Sequence, residues 1–134
     1  MHPTVIDKLA WLHIVERRLL GARSRGRNAC YLPGGKREPG ETDAQALQRE
    51  IREELTVELR EDTLQRVGVF RAQADGQPDG VEVALTCYRG EYRGTLAAAA
   101  EIEALLWLRH DDRALCSPAG QLVLDWARRQ DLID

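Results

Sequence analysis

Apolar and polar residues fall into short segments with distinct periods. From Val5 to Val15, β-branched and aromatic residues carry little charge, and Leu9, Trp11, His13 and Val15 would share one face of an extended chain, which predicts a first strand. Glu16-Arg17-Arg18 interrupts it, and Leu19 to Ala22 resumes the apolar run, so the two pieces predict a hairpin or adjacent strands. Leu64 to Ala74 and Val81 to Arg89 alternate as strands on either side of Asp75-Gly76-Gln77-Pro78-Asp79-Gly80, a strong turn signal, and predict a β-hairpin. Val57 to Leu59 reads as a short extended piece, Gly90 to Gly94 as a turn, and Ala104 to Leu108 as a last short strand. Leu96 to Ala100 is too rich in alanine to assign.

Two segments follow a helical period. Thr42 is a good N-cap with Gln45 three residues on, a capping box that starts a helix just after Glu41, and Leu47, Ile51 and Leu55 form its buried stripe. Ser117 caps and Pro118 opens a second helix, Pro118 to Gln130, with Leu122, Val123, Trp126 and Ala127 on one face and Trp126 in the core. The order strands, helix, strands, helix implies an α/β protein with a mixed β-sheet and a helix on each face. A chain of 134 residues is long enough for one core, so 1–134 is expected to be a single domain.

Composition narrows the function. Hydrophobic residues are 43% and charged residues 31%, as in ordinary globular proteins, and the net charge of -3 offers no general attraction to nucleic-acid polymers or anionic membranes. Phosphate binding must then be local. The N-terminus has no basic region leading into an apolar run, and no segment is long and apolar enough to span a bilayer, so a cytoplasmic location is expected. Cys30, Cys87 and Cys116 are widely spaced with no CxxC pair, and read as small buried hydrophobes rather than a zinc site or a disulfide framework.

The chemistry concentrates between Gly34 and Val57. Glu50, Glu53 and Glu54 are related by i, i+3 and i+4, so they cluster on one side of the first helix, where their mutual repulsion calls for a cation. Clustered carboxylates without His or Cys are hard oxygen ligands suited to Mg2+ or Mn2+, and Mg2+ is usually completed by substrate phosphates. Gly34-Gly35 lets backbone approach an ion or phosphate, and Arg49, eight residues after Glu41, can hold that carboxylate in a bidentate pair. Arg23, Arg25 and Arg27 lie on a loop leading to these glycines, and are either phosphate contacts or a solvated basic turn. Trp11, His13, Tyr31, Phe70 and Arg71 are candidates for a substrate pocket, with aromatic faces on which a base can stack, against the alternative of ordinary core. The competing reading of the acidic helix is a surface helix of mixed charge.

Gly35, then five residues to Glu41, then seven to Arg49-Glu50-Ile51-Arg52-Glu53-Glu54-Leu55-Thr56-Val57, resembles the Nudix box, with Thr56 in place of the family's late glycine. That glycine ends the helix in a left-handed conformation, so a different exit or strain is expected at Thr56. The resemblance implies an α/β/α sandwich and Mg2+- or Mn2+-dependent hydrolysis of a nucleoside diphosphate linked to another group. It also implies metal-binding and catalytic roles for Glu50, Glu53 and Glu54, with the Gly34 carbonyl a further ligand and Glu41 and Arg49 a supporting pair. Family members add an acid from a loop before a tryptophan-bearing strand, and Glu101, six residues before Trp107, is preferred to Glu103 for it. The general base is assigned to Glu50. A small nucleoside-triphosphate pyrophosphohydrolase is the leading expectation, an ADP-ribose or nucleotide-sugar pyrophosphatase the alternative, and a non-catalytic nucleotide-binding module the reading from another class.

Overall fold

A computed structural model describes residues 4–134. The expectations for the N-terminus and for one domain over 1–134 extend to residues 1–3, which lie outside the described residues. Among the described residues, nine strands and two α-helices follow in the order β1 Val5–Trp11, β2 Ile14–Val15, β3 Arg18–Ser24, β4 Gly34–Lys36, α1 Asp43–Leu55, β5 Glu58–Leu59, β6 Gln65–Gln73, β7 Glu82–Arg89, β8 Tyr92–Arg93, β9 Ile102–Leu108 and α2 Pro118–Arg129. Among the described residues no helix is long and apolar enough to cross a membrane.

The strands form a mixed four-stranded sheet in the order β4-β1-β7-β6, in which only β1 and β7 run parallel, and an antiparallel sheet β2-β3-β9. The segment before β4 links them: Tyr31 and Ala22 exchange backbone hydrogen bonds of 2.9 and 2.7 Å, and the Trp11 N–H donates to the Pro33 carbonyl at 2.9 Å. Because successive strand residues face opposite sides, Leu9, Trp11 and Leu20 join Leu47, Ile51 and Leu55 of α1 in one buried cluster. Ala10, Leu12 and Leu19 join Val123, Leu124 and Ala127 of α2 in the other. The expected helix on each face of a mixed sheet is therefore present.

Four local expectations need correction. Val5 to Val15 is two strands, because the chain leaves the ladder at Leu12 and His13, where the Leu12 N–H reaches Tyr88 and the His13 carbonyl accepts from Leu20 at 2.8 Å each. Glu16 and Arg17 then turn the β2–β3 hairpin with φ of 50° and 63°, the pair of positive angles that suits a two-residue hairpin turn. Gly90 to Gly94 contains β8, which pairs with β5. The packed face of α2 is Ala119, Gly120, Val123, Leu124 and Ala127. Leu122 is exposed, and Trp126 is half-buried with its ring edge-on to Phe70 at 6.2 Å, not in the core.

Candidate active site

The local sequence fixes where the acidic helix begins and ends. Thr42 Oγ1 accepts from the Gln45 N–H at 3.2 Å, and Gln45 Oε1 accepts from the Thr42 N–H at 3.0 Å, so the capping box is closed. At the other end Thr56 takes the left-handed conformation itself, with φ 62° and ψ 21°, and its hydroxyl donates to the Thr95 carbonyl at 3.0 Å. The helix thus keeps the usual left-handed exit and carries the strain on a threonine.

Between these ends the carboxylates occupy different environments. Glu54 is buried, 6% exposed, and accepts from the Gly34 N–H at 3.0 Å. Burial, then the nearby charges of Glu50 and Glu101, push its carboxyl up to about 8, against the opposing pull of that N–H. Glu50 is also raised, first by burial, while Arg49 opposes the shift from 3.0 Å. Glu53 is half exposed and turned toward Arg49 at 3.5 Å. Arg49 grips Glu41 with two bonds of 2.7 and 2.9 Å and reaches the Lys36 carbonyl at 3.1 Å, which ties the helix to β4. That grip holds Glu41 down at about 2, with help from the Glu38 N–H.

Gly34 and Gly35 are required by close approach. A Cβ on Gly34, at φ 147°, would collide with the Leu9 carbonyl, and one on Gly35 would stand 2.5 Å from the Glu50 carboxyl carbon. The glycines let β4 lie against β1 on one side and the acidic helix on the other.

A cavity of about 460 Å3 opens beside this arrangement. Glu50, Glu54, Glu101, Gly34 and Gly35 line it together with Lys8, Arg27, Lys36 and Tyr31, and Ile6, Val83 and Leu85 add apolar lining. Lys8 is lowered first by burial and then by the neighbouring charges of Lys36 and Arg27. Among the described residues no three acidic side chains close into a metal-ligating group. The donor set nevertheless fits a hard cation: the carboxylates of Glu50, Glu54 and Glu101 repel one another, and Gly35 lets the Glu50 carboxyl pack directly against β4.

The sequence candidates separate in space. Of the three loop arginines only Arg27 lines the cavity; Arg23 pairs with Glu103 at 2.9 Å and Arg25 donates to the Ala100 carbonyl at 2.7 Å. Of the aromatic candidates only Tyr31 lines it, its hydroxyl donating to Asp75 at 2.5 Å. Trp11 is fully buried on the α1 side, with its indole N–H on the Gly90 carbonyl at 3.1 Å and its ring stacked on His13. Phe70 packs on Trp126, and Arg71 pairs with Glu82 at 2.9 Å. Lys8 and Asp75 are cavity residues that the sequence reading missed. A lysine in the strand VIDKLAW on the same face as the apolar Ile6 and Ala10 was the available signal for Lys8. Asp75 gave none beyond its turn.

An α/β/α sandwich whose acidic helix and basic side chains line one cavity defines a class of protein. The NUDIX domain model matches residues 10–125, and the chain belongs to the Nudix hydrolase superfamily. The structure is similar to the solution structure of the E. coli ORF135 protein, with 26% identity, TM-score 0.73, and coverage of 98% of this chain and 96% of that one. The MutT Nudix hydrolase from Burkholderia pseudomallei, at 24% identity, TM-score 0.72, and coverage of 91% and 97%, shares the fold. The human 8-oxo-dGDP phosphatase NUDT18 is 46% identical over 43 residues, which are 32% of this chain. The chain covers 13% of the length of that curated relative.

Proposed function

We propose that the protein is a Mg2+- or Mn2+-dependent hydrolase that splits the pyrophosphate of a nucleoside diphosphate linked to another group, with nucleoside triphosphates, cleaved to the monophosphate and pyrophosphate, as its main substrates. The observation that carries this reading is the cavity itself, whose lining brings Glu50, Glu54 and Glu101 together with Lys8, Arg27 and Lys36. Acids alone would repel a phosphate and bases alone would leave no seat for a cation; together they suit a phosphate bound beside a divalent ion.

Glu50, Glu53, Glu54 and Glu101, with the Gly34 backbone, would hold the ion. When bound, it neutralises charge on the pyrophosphate and acidifies a nearby water. Glu50 takes the proton of the attacking water. Arg49 and Glu41 keep Glu50 in place through their bidentate pair. Lys8, Arg27 and Lys36 orient the phosphates, and Tyr31 flanks the nucleoside. The match to an 8-oxo-dGDP phosphatase supports a nucleotide substrate and keeps nucleoside diphosphates on the panel. An ADP-ribose or nucleotide-sugar substrate is the second reading, since the same pyrophosphate chemistry applies.

A panel of nucleoside triphosphates, diphosphates, ADP-ribose and nucleotide sugars, assayed with Mg2+ or Mn2+ for monophosphate and pyrophosphate release, tests this. Turnover of triphosphates that ceases on chelation is expected; binding without turnover across the panel would show a nucleotide-binding module instead. Glu53→Gln and Glu54→Gln should each lower turnover by at least about 100-fold with the fold retained. Glu101→Gln should be strongly impaired and Glu103→Gln mildly, because Glu103 is engaged by Arg23 away from the cavity.

A further inference from the structure

The three cysteines divide into a facing pair and a single residue. Cys30 lies on the segment that leads to Tyr31, and Cys116 directly precedes Ser117, the N-cap of α2. The Cys30 N–H donates to the Leu115 carbonyl at 2.8 Å, and the Cys30 carbonyl accepts from the Ser117 N–H at 2.9 Å. These two bonds flank Cys116, so Cys30 faces it across a parallel bridge. Strands paired in this way run about 4.7–4.9 Å apart, within the separation of roughly 4.4–6.8 Å between Cα atoms that a disulfide spans.

Both side chains enter the buried cluster on the α2 side. Small residues surround the sulfurs: a Cβ on Gly21 would stand 2.5 Å from Cys30 Sγ, and one on Gly120 would stand 3.2 Å from Cys116 Cβ. Each thiol donates to a backbone carbonyl, Cys30 Sγ to Tyr31 at 3.8 Å and Cys116 Sγ to Asp112 at 3.9 Å. The influence of each thiol on the other draws Cys30 down and pushes Cys116 up, with burial adding to the rise at Cys116. Cys30 is thus the readier nucleophile and Cys116 the resolving thiol. Cys87 shares the cluster, but burial alone pushes its thiol up to about 12, which makes it an internal control.

We propose that Cys30 and Cys116 form a reversible intrachain disulfide when the protein meets a peroxide. The Cys30 thiolate attacks the peroxide O–O bond, giving a sulfenic acid and, after protonation of the departing hydroxide, one water. Cys116 sulfur then attacks the sulfenic sulfur, and its proton leaves with the hydroxyl as a second water. Two thiols are oxidised by two electrons in all, and hydrogen peroxide is reduced to two waters; a small dithiol reverses the change. The bond would pin the start of α2 to the segment that leads to β4, where Ser117 and Ala119 share the cavity lining with Tyr31. It is independent of the hydrolytic reading and would hold if no nucleotide were turned over.

The test exposes the full chain to hydrogen peroxide, blocks remaining thiols under denaturing conditions, and maps peptides without reduction. A cross-link joining the Cys30 and Cys116 peptides is expected, with Cys87 recovered as the blocked thiol. The thermal midpoint should rise on oxidation and return with dithiothreitol. Cys30→Ser and Cys116→Ser should each remain folded in the reduced state and lose both the cross-link and the rise. Recovery of both cysteines as free thiols or as sulfinic acids would overturn the proposal, as would a bond to Cys87 or between chains.

Discussion

Thr56 holds a backbone conformation that disfavours a β-branched residue by roughly 1–2 kcal/mol, and its hydroxyl bond to the Thr95 carbonyl offsets about 0.5–1.5 kcal/mol of that. Thr56→Val keeps the strain and loses the bond, so it should destabilise the protein by about 1 kcal/mol in urea unfolding. Thr56→Gly relieves the strain but gives up the bond and frees the unfolded chain, and should stay within about 1 kcal/mol of the parent. A valine variant as stable as the parent would show that the Thr95 contact contributes nothing. The departure from the box pattern was plain in the sequence. How it is accommodated was not, since Thr95 lies far along the chain on a stretch with no readable period.

The first helix was legible at the level of the element. Its cap and the spacing of its stripe, Leu47, Ile51 and Leu55, depend on neighbours within a few residues. Thr42→Ala should therefore cost about 1 kcal/mol, measured as a lower urea midpoint, and a neutral result would mean that the capping box is not formed in solution. The second helix was legible only in part. Ala119, Leu122, Val123, Leu124, Trp126 and Ala127 cover a wide arc, so periodicity alone does not choose the packed face. The sheet chose it, leaving Leu122 to solvent. Likewise, the apolar pattern from Val5 to Val15 continues through the break at Leu12 and His13, which tertiary hydrogen bonds create.

Across the whole molecule, Arg49 ties helix, glycine strand and Glu41 together, and that tie has a pH signature. Glu41 falls from an ordinary 4.5 to about 2 in the folded chain. A carboxylate lowered in this way adds stability that is present above about 4.5 and is lost as pH falls through about 2. Thermal midpoints of the parent and of Glu41→Gln should therefore differ most near neutrality and converge in strong acid. A constant difference across that range would show that the Glu41 carboxylate is not held by Arg49 in solution.

The sequence by itself determined the two helices, the longer strands and the spacing that marks the family, because caps, periods and box positions are local features of the chain. Tertiary structure alone decided which long-range partners those elements meet. It brought Glu101 and Lys8 into one cavity, assigned Arg23 to Glu103 and kept Arg27 at the site. It also buried Trp11 on the α1 side and set Cys30 across from Cys116. Each of these follows from strand pairing and from which face of a sheet a side chain takes, and a one-dimensional pattern does not specify either between distant segments.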